Sequence, residues 1–145
     1  MPVSGREVST AVQRMLAAAT ARSCGYGTAP TASSAPSGTQ LPYTVLYPLG
    51  VTTGGPPYGE PDADARVLLQ VTCVAGTAEQ AEWMADKVRA AVLARKTSGA
   101  YSSELTVPGC AVMQRTLEKE EGVTVASGVY SYVQRYVIEV TTLNS

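Results

Sequence analysis

Residues 41–95 constrain the fold more than any other part of the chain, because two β-forming runs there precede one capped helix. The first run reads LPYTVLYP, and the second, after a turn-rich segment at 50–64, reads ARVLLQVTCV. The segment that follows, Thr77-Ala78-Glu79-Gln80, has the form of a capping box, which marks the start of a helix. The pattern predicts a β-hairpin followed by a helix that ends near Arg95.

The segment at 50–64 is predicted to be a projecting hairpin loop without regular structure, because glycine and proline cluster near its middle. Its strands are expected at 43–47, closed by Pro48, and at 65–74. Tyr58 lies near the predicted tip. The acidic side chains Glu60, Asp62 and Asp64 could share a divalent cation, but no calcium-loop spacing accompanies them. A solvated acidic loop is therefore favoured, and no metal site is predicted.

The predicted helix after Thr77 carries one aromatic side chain away from its apolar stripe. That stripe consists of Ala81, Met84, Ala85, Val88, Ala91 and Val92. At 100° per residue, Trp83 lies almost opposite it, with Glu79 and Lys87 one turn away on either side. Two interpretations remain open: Trp83 contacts a partner protein, or a second layer of the same subunit covers it.

A second amphipathic helix is predicted at the start of the chain. Ser4-Gly5-Arg6-Glu7 forms another capping box, and apolar residues then recur on one face until about Arg22. The stretch at 23–59 contains no charged residue. It is interpreted either as a solvated linker or as a segment lying against another protein, where an unpaired charge would be costly to bury.

The remaining third of the chain is predicted to be β structure. Residues 110–115 and 123–126 are expected to form strands around an acidic turn, with Glu118, Glu120 and Glu121 at its tip. Residues 129–142 show the clearest β pattern in the chain, and this last strand could pair edge to edge with a neighbouring subunit.

Composition argues against several functional classes. A chain of 145 residues is expected to form one domain, 1–145, with long loops at about 23–41 and 50–64. A net charge of −1 disfavours general nucleic-acid binding, and no apolar run approaches the length of a membrane-spanning helix.

The absence of histidine removes the commonest general base and metal ligand. Cys24, Cys73 and Cys110 are expected to be free thiols, with Cys73 buried in a strand. We therefore predict no catalytic residues and no cofactor.

Several segments together resemble the tail terminator proteins of long-tailed bacteriophages, most closely those of phages that infect actinobacteria. The similarity rests on PYTVLYP at 42–48, on 54–64 with its Pro-Tyr and Asp-Ala-Asp groups, on Val71-Thr72, and on QAEWMADKVR at 80–89. It follows the order of elements along roughly the whole chain and is strongest over 41–95. No single motif is diagnostic.

The resemblance implies an α+β subunit with about four to five mostly antiparallel strands and two main helices packed on them. Subunits of this family form a homohexameric ring at the head-proximal end of the tail tube. The ring ends polymerisation of the major tail tube protein and provides a docking surface for head-completion connector proteins. Such a protein is made in the bacterial host cytoplasm and resides in the virion, and it neither catalyses a reaction nor enters a membrane.

This role requires contact surfaces, and the expected inter-subunit, tube or connector contacts are Tyr58, Glu60, Asp62, Asp64, Trp83 and Lys87. The acidic tip at 118–121 is expected to face the lumen, where it would repel the DNA that passes through without specific binding. Two other functions remain open. The chain could be a head-completion or neck connector protein, or a small cysteine-dependent enzyme that uses Cys110.

Overall fold

Two helices pack on one five-stranded sheet in the computed structural model, which describes residues 4–21, 24–27, 42–54, 64–126 and 128–142. The helices are α1 (Gly5–Thr20) and α2 (Ala78–Leu93), and the strands are β1 (Cys24–Tyr26), β2 (Tyr43–Gly54), β3 (Asp64–Ala75), β4 (Cys110–Ala126) and β5 (Val129–Thr142). The strand order is β1-β2-β3-β5-β4, and only β1 and β2 pair in parallel. The predicted α+β class and mostly antiparallel sheet are confirmed.

Both helices begin where their capping residues predict. The Ser4 hydroxyl accepts a hydrogen bond from the Glu7 amide at 3.3 Å, and the Thr77 hydroxyl accepts one from the Gln80 amide at 3.1 Å. Helix α1 ends at Thr20, slightly before the predicted Arg22, because Ala21 adopts a left-handed φ of 57° that cannot continue the helix. The caps therefore fix the starts of the helices more closely than periodicity fixes their ends.

The core lies between one face of the sheet and the two helices. Helix α1 contacts β1, β2 and β3, whereas α2 contacts β3, β5 and β4, and the helices also contact each other. The sheet contributes alternate residues to this core: Val67, Leu69, Val71 and Cys73 from β3, and Tyr136, Ile138 and Val140 from β5. None of the described elements covers the opposite face of the sheet.

The predicted β2–β3 hairpin is present, but its strands are longer than predicted. Residues 50–54, assigned to an irregular loop, belong to β2, and Asp64 is the first residue of β3. Proline can continue the strand because the register shifts between Pro48 and Gly50, and a bulge tolerates a residue without an N–H group.

The prediction of two strands around an acidic turn at 118–122 is wrong. Strand β4 runs unbroken from Cys110 to Ala126 and pairs with β5 along its whole length. The register shifts three times, after Val112, Leu117 and Glu120. Each shift leaves one residue of β4 without a partner in β5, so the 17-residue strand pairs with a strand of 14 residues. The bulges accommodate a charged, glycine-containing segment that would otherwise favour a turn.

The prediction that the last strand lies at an edge is also wrong. Strand β5 pairs with β3 on one side and with β4 on the other, so its backbone groups are already used within the sheet. Strand β4 is one edge of the sheet, and the three-residue β1, which lies in the segment interpreted as a loop, is the other. Any edge pairing with a neighbour would therefore involve β4 or the part of β2 beyond β1.

Candidate functional site

Trp83 lies on the outer side of α2 and is 44% exposed. The Lys87 ammonium lies 4.9 Å from the centroid of its ring, a cation–π contact within the helix itself. Trp83 also lines a shallow recess with Thr77, Glu79 and Gln80 at the start of the helix. No element among the described residues covers the indole, so its outer surface is available to another molecule.

The buried stripe of α2 was predicted correctly. Its members Ala81, Met84, Ala85, Val88, Ala91 and Val92 are all buried. Glu79, Glu82 and Asp86 are exposed on other sides of the same helix. The helix thus separates a core face from a polar face that includes one large aromatic side chain.

The remaining predicted contact residues do not join Trp83 in one site. Tyr58, Glu60 and Asp62 lie outside the described residues. Asp64 pairs with Gly54 and with Thr141 at the start of β3, while α2 begins beyond the other end of that 12-residue strand. At 3.3 Å per residue the strand alone spans about 36 Å, so Asp64 and Trp83 lie toward different ends of the sheet.

The three glutamates predicted to form an acidic tip are distributed along β4 instead. Glu118 and Glu121 are exposed, and the Glu121 carboxylate lies 3.7 Å from the Lys119 ammonium and 3.8 Å from the Arg135 guanidinium. Glu120 is half-buried against α2. Because Glu118 and Glu121 are the residues skipped at two register shifts, whereas Glu120 pairs with Gln134, these residues do not present a common acidic surface.

Glu120 belongs to a polar cluster that joins α2 to β4 and β5. Its Oε1 accepts hydrogen bonds from Arg89 Nε at 3.1 Å, from Arg89 Nη2, and from Gln134 Nε2 at 2.8 Å. Arg89 Nη1 also donates to Asp86 at 2.8 Å, and Gln134 Nε2 donates to the carbonyl oxygen of Ala85 at 3.2 Å. Burial tends to raise the pKa of Glu120, but the bonds from Gln134 and Arg89 outweigh it and hold that pKa below its ordinary value.

A second cluster, which the sequence did not suggest, lies at the other end of α2. The guanidinium carbons of Arg95 and Arg115 each lie 4.2 Å from the centroid of the Tyr101 ring. The Tyr101 hydroxyl accepts from Arg95 Nη2 at 2.8 Å and from the Arg115 amide at 3.1 Å, which attaches the connection after α2 to β4. We call Arg95, Tyr101 and Arg115 the arginine–tyrosine cluster. Nothing in the sequence indicates that Arg115 is buried, because polar and charged residues surround it in the strand.

Arg115 is the most buried charged residue in this cluster, with 6% of its surface exposed. Its Nη1 donates to the carbonyl oxygen of Val92 at 3.3 Å and lies 3.6 Å from Met15 Sδ, whereas its Nε has no hydrogen-bond partner. Burial lowers its pKa, Tyr101 opposes this effect, and the charge of Arg95 adds to it. No carboxylate among the described residues lies within ion-pair distance of Arg115.

The three cysteines are free thiols, as predicted, and Cys73 is buried in β3. Burial raises the pKa of the Cys73 thiol to about 12, and it also raises the pKa of Cys24 and of the more accessible Cys110. Activation of a cysteine nucleophile requires a shift in the opposite direction.

Among the described residues, no helix is long and apolar enough to span a membrane, and no group of three or more acidic or cysteine side chains is placed to hold a metal ion. No protein-family model matches this chain, and no curated protein matches its sequence.

Proposed function

We propose that this chain is an assembly subunit that closes the head-proximal end of a phage tail tube as a homohexameric ring. The ring ends polymerisation of the major tail tube protein and then receives the head-completion connector proteins. The observation that carries this proposal is the outer side of α2, where a 44% exposed tryptophan stands among charged side chains. Tryptophan is enriched among the residues that anchor protein–protein interfaces, and polar residues form the rim around such anchors.

The α+β fold is also the one expected from the similarity of the sequence to tail terminators. It supports the proposal only as a fold, because a fold of this class serves many functions. The molecular surface supports the proposal more strongly than the fold does. A closed ring uses head-to-tail contacts, so each subunit needs two different complementary patches. The Trp83 side of α2 and the arginine–tyrosine cluster are two such patches, at opposite ends of one helix.

DNA would pass through this ring without specific binding, which agrees with a net charge of −1. Glu118 and Glu121 are the members of the predicted acidic group that remain exposed. Glu120 is unsuited to a lumen-facing role, because its carboxylate is bound by Arg89 and Gln134.

Electron microscopy of particles assembled without expression of this gene tests the proposal directly. We expect overlong, unattached tail tubes beside filled heads, and supplying the gene in trans should restore tails of normal length. Tails of normal length that fail to join heads would instead assign the chain to the neck. Intact infectious virions would refute an assembly role.

A further inference from the structure

The arginine–tyrosine cluster places positive charge in a buried setting, and no carboxylate among the described residues neutralises it. Arg115 is 6% exposed, its Nε is unpartnered, and the charge nearest to it in the cluster is that of Arg95. The C-terminal end of α2 offsets part of the cost, because the Val92 carbonyl accepts from Arg115 and the helix end carries partial negative charge. None of the residues that the structure describes supplies a full opposite charge, and buried charges in proteins are usually paired.

A recess of about 340 Å³ opens beside Arg115. Tyr101, Ser103 and Thr106 are among the residues that line it. The Tyr101 hydroxyl donates to the carbonyl oxygen of Arg115 at 3.4 Å, whereas hydroxyl groups such as those of Ser103 and Thr106 can donate hydrogen bonds to an oxyanion. Arginine binds carboxylates with two parallel hydrogen bonds, so a carboxylate is the natural ligand of such a site. The recess therefore has the charge, the donors and the space for one acidic side chain.

The opposite end of α2 carries acidic groups of the kind that the recess lacks. Residues 78–86 include Glu79, Glu82 and Asp86 and no basic residue, whereas residues 87–96 include Lys87, Arg89, Arg95 and Lys96 and no acidic one. Glu79 and Glu82 are exposed, and neither forms an ion pair with another described residue. Interaction with the helix dipole accounts for part of this asymmetry, but it leaves both glutamates unneutralised beside Trp83.

We infer that the recess beside Arg115 binds a glutamate from the first half of α2 in a second copy of this chain. The contact is head-to-tail: the acidic, Trp83-bearing end of one α2 meets the arginine–tyrosine cluster of the next subunit. Charge complementarity between the two ends of α2 identifies the second copy as the occupant. The inference rests on the proposed ring, for which it supplies the contact between adjacent subunits.

One carboxylate of the same chain competes for this role. Glu104 also lines the recess, but it is exposed and does not lie within ion-pair distance of Arg115. If Glu104 were the true partner, Glu104→Gln would lower the stability of the monomer and leave association between subunits unchanged.

Charge reversal at each side of the proposed contact tests the inference. Arg95→Glu is the first variant, because Arg95 is exposed and its replacement leaves the buried Arg115 in place. Light scattering after size-exclusion chromatography, over a range of protein concentrations, should show association weakened by about tenfold or more. Glu79→Arg and Glu82→Arg, each made alone, should show which glutamate enters the recess, because replacing that residue with a cation beside Arg115 should weaken association to a similar extent. Lys119→Glu makes the same charge change on an exposed β4 side chain and should leave association unchanged.

The possible results distinguish a failure of this inference from a failure of the proposed function. The arginine substitution that weakens association identifies the glutamate that enters the recess. Wild-type chains that stay monomeric, normal association of both arginine variants, or an effect of Glu104→Gln on the monomer alone would overturn the inference. If tails are overlong without the gene but the charge variants associate normally, the terminator role stands and this contact is wrong.

Discussion

The carboxylate of Glu120 is held by donors from two different elements, Arg89 of α2 and Gln134 of β5. Gln134 is fully buried, and its side-chain nitrogen also bonds the Ala85 carbonyl oxygen of α2. Charge-assisted hydrogen bonds of this kind contribute about 1.5–3 kcal/mol each when they are well formed. This cluster therefore fixes where α2 lies over the β4–β5 hairpin more specifically than apolar packing would.

Replacing Glu120 with glutamine should lower the free energy of unfolding by about 1–2 kcal/mol at neutral pH, because the charged acceptor is lost. The folded-state pKa of Glu120 is depressed, so between that pKa and the unfolded value of about 4.3 the unfolded chain binds more protons. The stabilisation is complete above about pH 5 and is lost as the pH falls through the folded-state pKa.

Urea unfolding of the wild type and Glu120→Gln from pH 7 to pH 3 measures this difference. Glu118→Gln, which changes an exposed glutamate two residues away, serves as the control and should follow the wild type. A gap between wild type and Glu120→Gln that stays constant across the pH range would contradict the assignment.

Strand β4 is an edge strand whose regularity is interrupted three times. Bulges and charged side chains are common features of edges that resist pairing with other chains, and β4 carries both. At the third bulge Gly122 adopts a φ of 79°, a conformation that other residues enter only with strain. The bulge thus depends on this glycine.

Gly122→Ala should destabilise the chain by about 1 kcal/mol through backbone strain alone, because no atom lies within 4 Å of the position that a Cβ would occupy. Gly122→Asn should cost less, since asparagine tolerates left-handed φ better than alanine does. Thermal unfolding of both variants is the measurement, and equal stabilities for alanine and asparagine would show that the bulge does not require this backbone conformation.

Sequence patterns located the helices and the β2–β3 hairpin because caps, apolar periodicity and turn residues act locally. They missed β1 because a three-residue strand is defined by its pairing with β2, and they broke β4 because its bulges resemble a turn. They identified Trp83 as an outward residue from helical geometry alone. They could not find the arginine–tyrosine cluster, since Arg95, Tyr101 and Arg115 meet only through the tertiary fold.

For the whole molecule, substitution of the exposed Trp83 distinguishes an effect on folding from an effect on the proposed assembly. Trp83→Ala should change the free energy of unfolding by less than about 1 kcal/mol, because the side chain lies outside the core. The same variant should impair ring formation or docking in a tail assembly assay. Met84→Ala, at the adjacent buried position, should instead cost about 2–5 kcal/mol. A severe loss of stability in Trp83→Ala would place the indole in the core and remove it from the interface.

The internal position of β5 also determines when the sheet can be completed during protein synthesis. Strands β3 and β4 are joined only through β5, although β5 follows both in the sequence. A ribosome-bound chain that has not yet extruded β5 therefore exposes one edge of β3 and leaves β4 without its partner. Such non-local pairing slows folding. The nascent chain should consequently remain sensitive to protease and dependent on chaperones until β5 has left the ribosome, and only then acquire the resistance of the native domain.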